Sequence, residues 1–122
     1  MIKKVIYVDF DGVINSYKTK FSQEDPIYLP DPPVPGAIAW LCEAVKHFHV
    51  VIFTCRMLHG ESEAALHAWF RDHGMPNHLI DQLAFSCVKR GASVYIDDRA
   101  INFSGVYPTM EFLENFKPWN KI

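Results

Sequence analysis

Three short runs of apolar, mostly β-branched residues constrain this chain more than any other feature of its sequence. They cover residues 5–8, 50–53 and 94–96, and each is followed at once by an Asp or a Thr. Short apolar runs that stop abruptly at a polar residue are typical of strands buried in a parallel sheet. Because the carboxyl ends of parallel strands lie at one edge of a sheet, we expect the three polar clusters to meet there.

Helical periodicity fills the stretches between these runs. After Gly36, apolar residues recur at steps of three and four, and a second series that includes Trp69 repeats the pattern. A weaker strand is predicted near residues 83–85, and Thr109 is expected to cap a last helix over residues 109–116. The alternation predicts an α/β fold: a three-layer, doubly wound, mainly parallel sheet of Rossmann-like type, with helices on both faces.

The length of 122 residues and the 49% hydrophobic content predict one domain of residues 1–122 with one core. Trp40 and Trp69 lie on apolar helix faces and are expected in that core. Five of the eight prolines fall within residues 26–35, so residues 15–35 are expected to form an extended loop. This loop begins just after the first acidic cluster, and we expect it to act as a flap over that edge.

Composition and charge exclude several classes of protein. A net charge of −2 is not typical of a non-specific nucleic-acid binder, so nucleic acid is admitted only as a substrate. No apolar run approaches membrane-spanning length and no signal peptide is recognised, so we expect a cytoplasmic protein without a membrane partner. The three cysteines match neither a disulfide framework nor a zinc site, and they are expected to be reduced and buried. The oligomeric state stays open.

The acidic residues at the strand ends predict a bound cation. Asp9 and Asp11 are two positions apart on an extended segment, so they can face the same side and repel each other. Asp97 and Asp98 are expected at the same edge, where they add to the repulsion. A set of oxygen ligands suits Mg²⁺. Gly12 allows a sharp turn that can bring backbone N–H groups close to an anion.

Residues 5–12, Thr54, Lys89 and the pair Asp97-Asp98 resemble, in this order, the four signatures of the haloacid dehalogenase superfamily. The resemblance implies the core of that superfamily as the fold. The second acid of the first signature is typical of its phosphatases and phosphomutases. A phosphomutase needs a cap domain, and this chain has no room for one. The resemblance therefore implies the capless phosphatase branch, acting on a phosphorylated substrate, small or macromolecular.

The resemblance also implies a role for each of these residues. Asp9 would attack phosphorus and form an aspartyl-phosphate, and Asp11 would act as general acid and then general base. Thr54, Lys89 and Gly12 would bind the phosphoryl group. The Mg²⁺ ligands would be Asp9, Asp11 through its backbone carbonyl, and Asp97 or Asp98.

Several alternatives stay open at this point. Arg90 adjoins Lys89 and could serve the phosphate in its place, and either Asp97 or Asp98 could ligate the cation directly. Arg56 could contact substrate, although a surface arginine is the commoner case. A non-catalytic phosphate-binding module on the same fold is the main alternative function. A receiver-type phosphoacceptor domain fits less well, because its phosphoacceptor would follow the third strand.

Overall fold

The computed structural model describes residues 2–22 and 24–121. Its strands and helices, in chain order, are β1 (Lys4–Asp9), α1 (Ala37–His47), β2 (Phe48–Phe53), α2 (Ser62–Asp72), α3 (Asn77–Ile80), β3 (Ala84–Ser86), β4 (Val94–Ile96) and α4 (Met110–Glu114). Short 3-10 helices cover Cys55–Leu58 and Trp119–Lys121.

The described strands form one four-stranded sheet in the order β3-β2-β1-β4, and every pairing is parallel. Val8 of β1 lies opposite Ile52 of β2 on one side and Ile96 of β4 on the other. The first strand is therefore central, as its apolar run predicts. The prediction of an α/β fold with a parallel sheet is confirmed, and the arrangement is compatible with a Rossmann-like fold.

The hydrophobic core lies on one face of the sheet. Ile6 and Val8 of β1 and Ile52 of β2 belong to a single buried cluster, which also contains Leu41 of α1 and Phe70 of α2. Side chains alternate between faces along a strand, so these even-numbered positions point the same way. Both long helices therefore cover the same face.

The prediction of three layers, with helices on both faces, stays a prediction, because the element that follows β3 along the chain is the strand β4 and not a helix. The β3–β4 connection, residues 87–93, contains no helix. It is too short for the helical crossover that usually covers a face. This connection instead brings the Lys89 ammonium to within 5.2 Å of the Phe53 ring centroid and 5.6 Å of the Tyr95 ring centroid.

Several local predictions can be compared with the structure. Trp69 is buried as expected, whereas Trp40 is 43% exposed, because it sits one position away from the buried stripe of α1 that includes Leu41. Thr109 caps α4 by accepting a hydrogen bond from the Phe112 N–H, but that helix ends at Glu114 rather than at residue 116.

The short helix α3 has no counterpart among the sequence predictions, since four residues are too few to show a period. The cysteines are free, as expected, but none of the three is buried: Cys42 and Cys87 are half-buried and Cys55 is exposed. Within residues 2–22 and 24–121, the helices lack the length and apolar character that crossing a membrane requires.

The flap, residues 15–35, is an irregular loop whose two ends are joined at its base. The Ser16 N–H donates to the Pro32 carbonyl at 3.0 Å, and the Val34 N–H donates to the Ile14 carbonyl at 2.8 Å. Farther along, the Thr19 N–H and hydroxyl both donate to the Asp31 carboxylate. The prediction of an extended loop, without a helix or a named strand in its described part, is confirmed.

Candidate functional site

The turn after β1 starts with Phe10, whose side chain is fully buried. Its ring meets the Trp69 ring edge-on at a centroid distance of 5.0 Å, and it also contacts Phe70. This aromatic anchor fixes the backbone between Asp9 and Asp11. Their two carboxylates are therefore held at the carboxyl edge of the sheet, where the motif places them.

Three carboxylates meet at this edge. One oxygen from each of Asp9, Asp97 and Asp98 can be chosen so that all three lie within 4.8 Å of one another. Gly12 makes this approach possible: its φ is +90°, and a Cβ there would lie 2.1 Å from Oδ2 of Asp98. A larger residue at position 12 would thus have to displace Asp98 and adopt a strained backbone conformation.

Burial and the neighbouring acids raise the pKa of Asp9 from its ordinary value of 3.8 to about 8. Removal from water is the largest cause, followed by a side-chain hydrogen bond with Asp98 and by the negative charges of Asp97 and Asp98. The Phe10 N–H, which donates to Asp9 Oδ1 at 2.9 Å, acts in the opposite direction. Without a cation, this carboxyl therefore carries a proton at neutral pH.

The two acids of the last motif have different surroundings. Both oxygens of Asp97 are engaged, since Oδ2 accepts from Lys89 Nζ at 3.3 Å and Oδ1 accepts from the Arg99 N–H at 2.8 Å. By contrast, Oδ1 of Asp98 is buried without a hydrogen-bond partner among the described residues. A buried carboxylate oxygen with no donor is costly, and a cation would remove that cost.

These features fit a hard divalent cation as a class. The donors are all carboxylate oxygens. Among the described residues, the cation seen to contact this cluster is Lys89, and its contact is with Asp97 alone. A cluster with too little positive charge is expected to keep a proton on one of its acids, as Asp9 does. It is also expected to leave a buried oxygen without a hydrogen-bond partner, as seen for Asp98 Oδ1 among the described residues.

Thr54 lies at the end of β2 and is 3% exposed. Its N–H donates to the Ser86 carbonyl at 2.9 Å, and its Oγ1 accepts from the Arg56 N–H at 3.2 Å. The hydroxyl hydrogen is therefore left to donate to another acceptor. The role of Thr54 in binding phosphate stays a prediction that this geometry permits.

The other two predicted phosphate-binding residues sit differently. The Gly12 N–H donates to the Asn15 carbonyl at 2.8 Å, so the amide expected to face an anion is engaged within the turn. Lys89 reaches the acidic cluster through Asp97, whereas the Arg90 carbonyl accepts from the Tyr95 hydroxyl. The position of Lys89 favours it over Arg90 as the phosphate partner, and both roles stay predictions.

Asp11 does not join the three-carboxylate cluster through its side chain, because that side chain is paired with Arg56. Arg56 Nε donates to Asp11 Oδ2 at 2.9 Å and Nη2 donates to Oδ1 at 3.1 Å. Asn15 Nδ2 adds a bond to Oδ1 at 2.9 Å. The expectation of a surface arginine is wrong, since Arg56 is 3% exposed. The sequence feature that could have placed Arg56 at the site is its position two residues after Thr54.

The C-terminal segment also reaches the site, which the sequence does not predict. The Trp119 indole Nε1 donates to the Gly12 carbonyl at 2.8 Å. This contact joins positions 107 residues apart, and no local pattern around Trp119 marks it as a partner of the first motif. The turn that carries Asp11 and Gly12 is therefore held from the core by Phe10 and from the tail by Trp119.

Comparison of the chain with family models, with curated proteins and with solved structures finds no match. The motif resemblance therefore stays a prediction.

Proposed function

We propose that this chain is a magnesium-dependent phosphomonoester hydrolase of the haloacid dehalogenase type, capless, with Asp9 as its covalent nucleophile. The observation that carries the proposal is the convergence of Asp9, Asp97 and Asp98 at one edge of a parallel sheet. Asp11 follows two residues after Asp9, and Lys89 contacts the same cluster. These residues supply a nucleophile, a proton-transfer group and positive charge at one edge of the sheet.

The residues that would hold Mg²⁺ are Asp9, Asp98 and the backbone carbonyl of Asp11, with Asp97 close by. Asp98 is the better candidate for the direct ligand, because its Oδ1 is buried without a hydrogen-bond partner among the described residues, whereas both oxygens of Asp97 are engaged. A cation here supplies charge neutralisation for the phosphoryl oxygens and for the carboxylates themselves. Binding of the cation would also displace the proton from Asp9 and leave its carboxylate ionised for attack.

The reaction proceeds in two steps. An oxygen of Asp9 bonds to phosphorus while the bond to the leaving oxygen breaks, and Asp11 gives that oxygen a proton. Water then attacks phosphorus and gives a proton to Asp11, and the bond between Asp9 and phosphorus breaks, so that inorganic phosphate leaves and the Asp9 carboxylate is restored. The Phe10 N–H donates to Asp9 Oδ1 and so orients the carboxylate for attack. Lys89 and the hydroxyl of Thr54 hold the phosphoryl oxygens.

One observation favours a second candidate function. Both oxygens of the Asp11 side chain accept hydrogen bonds from Arg56, and Oδ1 also accepts from Asn15, so one of these bonds must open before that oxygen can transfer a proton to a substrate. If none of them opens, Asp9 would be phosphorylated only by a donor whose leaving group departs without a proton, and the resulting aspartyl-phosphate would persist. The chain would then be a phosphoacceptor or a phosphate-binding module rather than a phosphatase.

Turnover of an aryl phosphate and an alkyl phosphate, with Mg²⁺ or with excess chelator, tests the proposal. We expect hydrolysis that needs Mg²⁺ and that falls by about a thousandfold or more in Asp9→Asn, because the attacking charge is removed. Asp72→Asn, at an exposed position on α2, is the matched control and should behave as the wild type. Full activity in chelator, or in Asp9→Asn, would refute the mechanism. A stable phosphorylated protein, seen by mass spectrometry without turnover, would support the second candidate.

A further inference from the structure

Arg56 connects two parts of the molecule that the sequence places far apart. Its Nε and Nη2 donate to the two oxygens of Asp11, and its Nη1 donates to the carbonyls of Pro26 and Tyr28 at 2.9 and 3.3 Å. The guanidinium carbon also lies 4.8 Å from the centroid of the Phe21 ring. One side chain therefore binds the predicted general acid at one end and the flap at the other.

The chemistry of this contact requires an arginine. A guanidinium has about five N–H donors in a planar fork, and the four bonds of Arg56 use most of them. A lysine has three donors at a single point, so it cannot span a carboxylate and two carbonyls at once. Because Arg56 is buried, loss of any one partner leaves a buried charge or carbonyl without compensation.

The base and the tip of the flap are held by different contacts. The base is joined by the backbone bonds between residues 14–16 and 32–34 and by the Thr19–Asp31 pair, none of which involves Arg56. The tip, around Phe21 and residues 26–28, is the part that Arg56 contacts. Removing Arg56 should therefore free the tip and leave the base in place.

We propose that Arg56 is a positioning residue that couples the flap to Asp11, so that one guanidinium places both the proton-transfer group and the loop that covers the substrate. This inference rests on the proposed phosphatase function for its kinetic part alone. Without Arg56, Asp11 loses two of its three observed hydrogen bonds and is misplaced. The flap tip loses its anchor at the same time, which weakens substrate binding.

Kinetics with two leaving groups distinguish this role from that of a simple structural contact. Arg56→Met should lower kcat by about a hundredfold for an alkyl phosphate, whose leaving oxygen needs a proton, since misplacing a reacting group costs on this order. For an aryl phosphate that departs without a proton, the loss in kcat should be much smaller, while KM rises for both. Arg56→Lys should restore little of the lost kcat or of the raised KM. The double variant Asp11→Asn with Arg56→Met should have a kcat on the alkyl phosphate no lower than that of Asp11→Asn alone.

Limited trypsin digestion tests the coupling without any assay of activity. Lys20 is exposed and directly precedes Phe21, so cleavage after it reports how often the tip opens. We expect cleavage there to accelerate by about tenfold in Arg56→Met, the scale of a lost charge-assisted hydrogen bond. Asp11→Asn should accelerate it in the same direction. Arg71→Met, at an exposed site on α2, is the control and should change neither cleavage nor kinetics.

The outcomes separate the inference from the proposed function. If the wild type hydrolyses no phosphomonoester but Asp11→Asn and Arg56→Met both expose the flap, the coupling stands and the phosphatase proposal fails. If the wild type is active but Arg56→Met slows both leaving groups equally and Asp11→Asn leaves the flap protected, Arg56 only stabilises the fold and the inference is overturned. Should Arg56→Met not fold, Arg56→Lys and Asp11→Asn give the same comparison.

Discussion

The raised pKa of Asp9 makes a prediction about stability that needs no substrate. Since the pKa of Asp9 in the folded chain, about 8, lies above its ordinary value of 3.8, the folded state binds the proton more tightly than the unfolded state. The contribution of this group to the free energy of unfolding is fully present below pH 3.8 and is lost as the pH rises through about 8. In chelator, the chain should therefore lose stability across this window.

The magnitude follows from the interval between these two pKa values. Each pH unit in the window lowers the free energy of unfolding by about 1.4 kcal/mol. From 3.8 to neutral pH is about three units, or roughly 4 kcal/mol, and the partial exposure of Asp9 reduces this to about 2–4 kcal/mol. In Asp9→Asn the side chain at position 9 cannot ionise, and its amide N–H can donate a hydrogen bond to Asp98. At pH 7 the variant should therefore be more stable than the wild type by about that amount.

Urea unfolding of the wild type and of Asp9→Asn at pH 5, 6 and 7, in chelator, measures this difference. We expect the stability gap between the two proteins to widen by about 1 kcal/mol for each pH unit. Saturating Mg²⁺ should narrow the gap, because a bound cation replaces the proton; at a hundred times its Kd it adds about 2.7 kcal/mol to the wild type. Asp72→Asn, exposed on α2, serves as the control. A gap that stays constant with pH would refute the reasoning.

Two further predictions concern the turn after β1. Gly12→Ala should abolish the effect of Mg²⁺ on the melting temperature while the chain still folds, because its Cβ would overlap Asp98 Oδ2. An unchanged Mg²⁺ titration would contradict this. The control is Gly60→Ala, whose Cβ meets no atoms within 4 Å. Trp119→Phe keeps the ring but loses the bond to the Gly12 carbonyl, so chemical denaturation should show a loss of about 1 kcal/mol. Equal stability of the two proteins would mean that the bond contributes nothing.

The parts of the fold that the sequence predicts are those with a local signal. The run at residues 5–8 is apolar on both faces, and such runs suit a central parallel strand; the structure places β1 between β2 and β4. The number of layers depends instead on which elements cover the second face of the sheet. The sequence of residues 87–93 does not indicate that this connection lacks a helix. The exposure of Trp40 likewise depends on the angle at which it lies around the axis of α1. The spacing of apolar residues, at steps of three and four, does not fix this angle closely enough to separate Trp40 from the buried Leu41.

The candidate site divides in the same way. The acidic pairs and Lys89 are visible in the sequence because each follows a strand end or precedes a strand closely, and the sheet brings them together. The partners that hold them are not visible. Arg56 reaches Asp11 across 45 residues and Trp119 reaches Gly12 across 107. Contacts at such separations depend on the completed fold, so spacing along the chain cannot identify them.

The rigidity of the sheet edge explains why the charge repulsion at the site persists. Two carboxylates that repel each other would normally move apart, but Asp9 ends a central strand that is paired on both sides. Asp98 follows β4 closely and lies against Gly12, whose turn is held by the buried Phe10 and by Trp119. With the backbone fixed at both ends, relief can come from a proton or from a cation and not from movement. If this site takes a cation, the cation should bind more tightly as the pH rises toward 8, because the proton that competes for the same oxygens is then released.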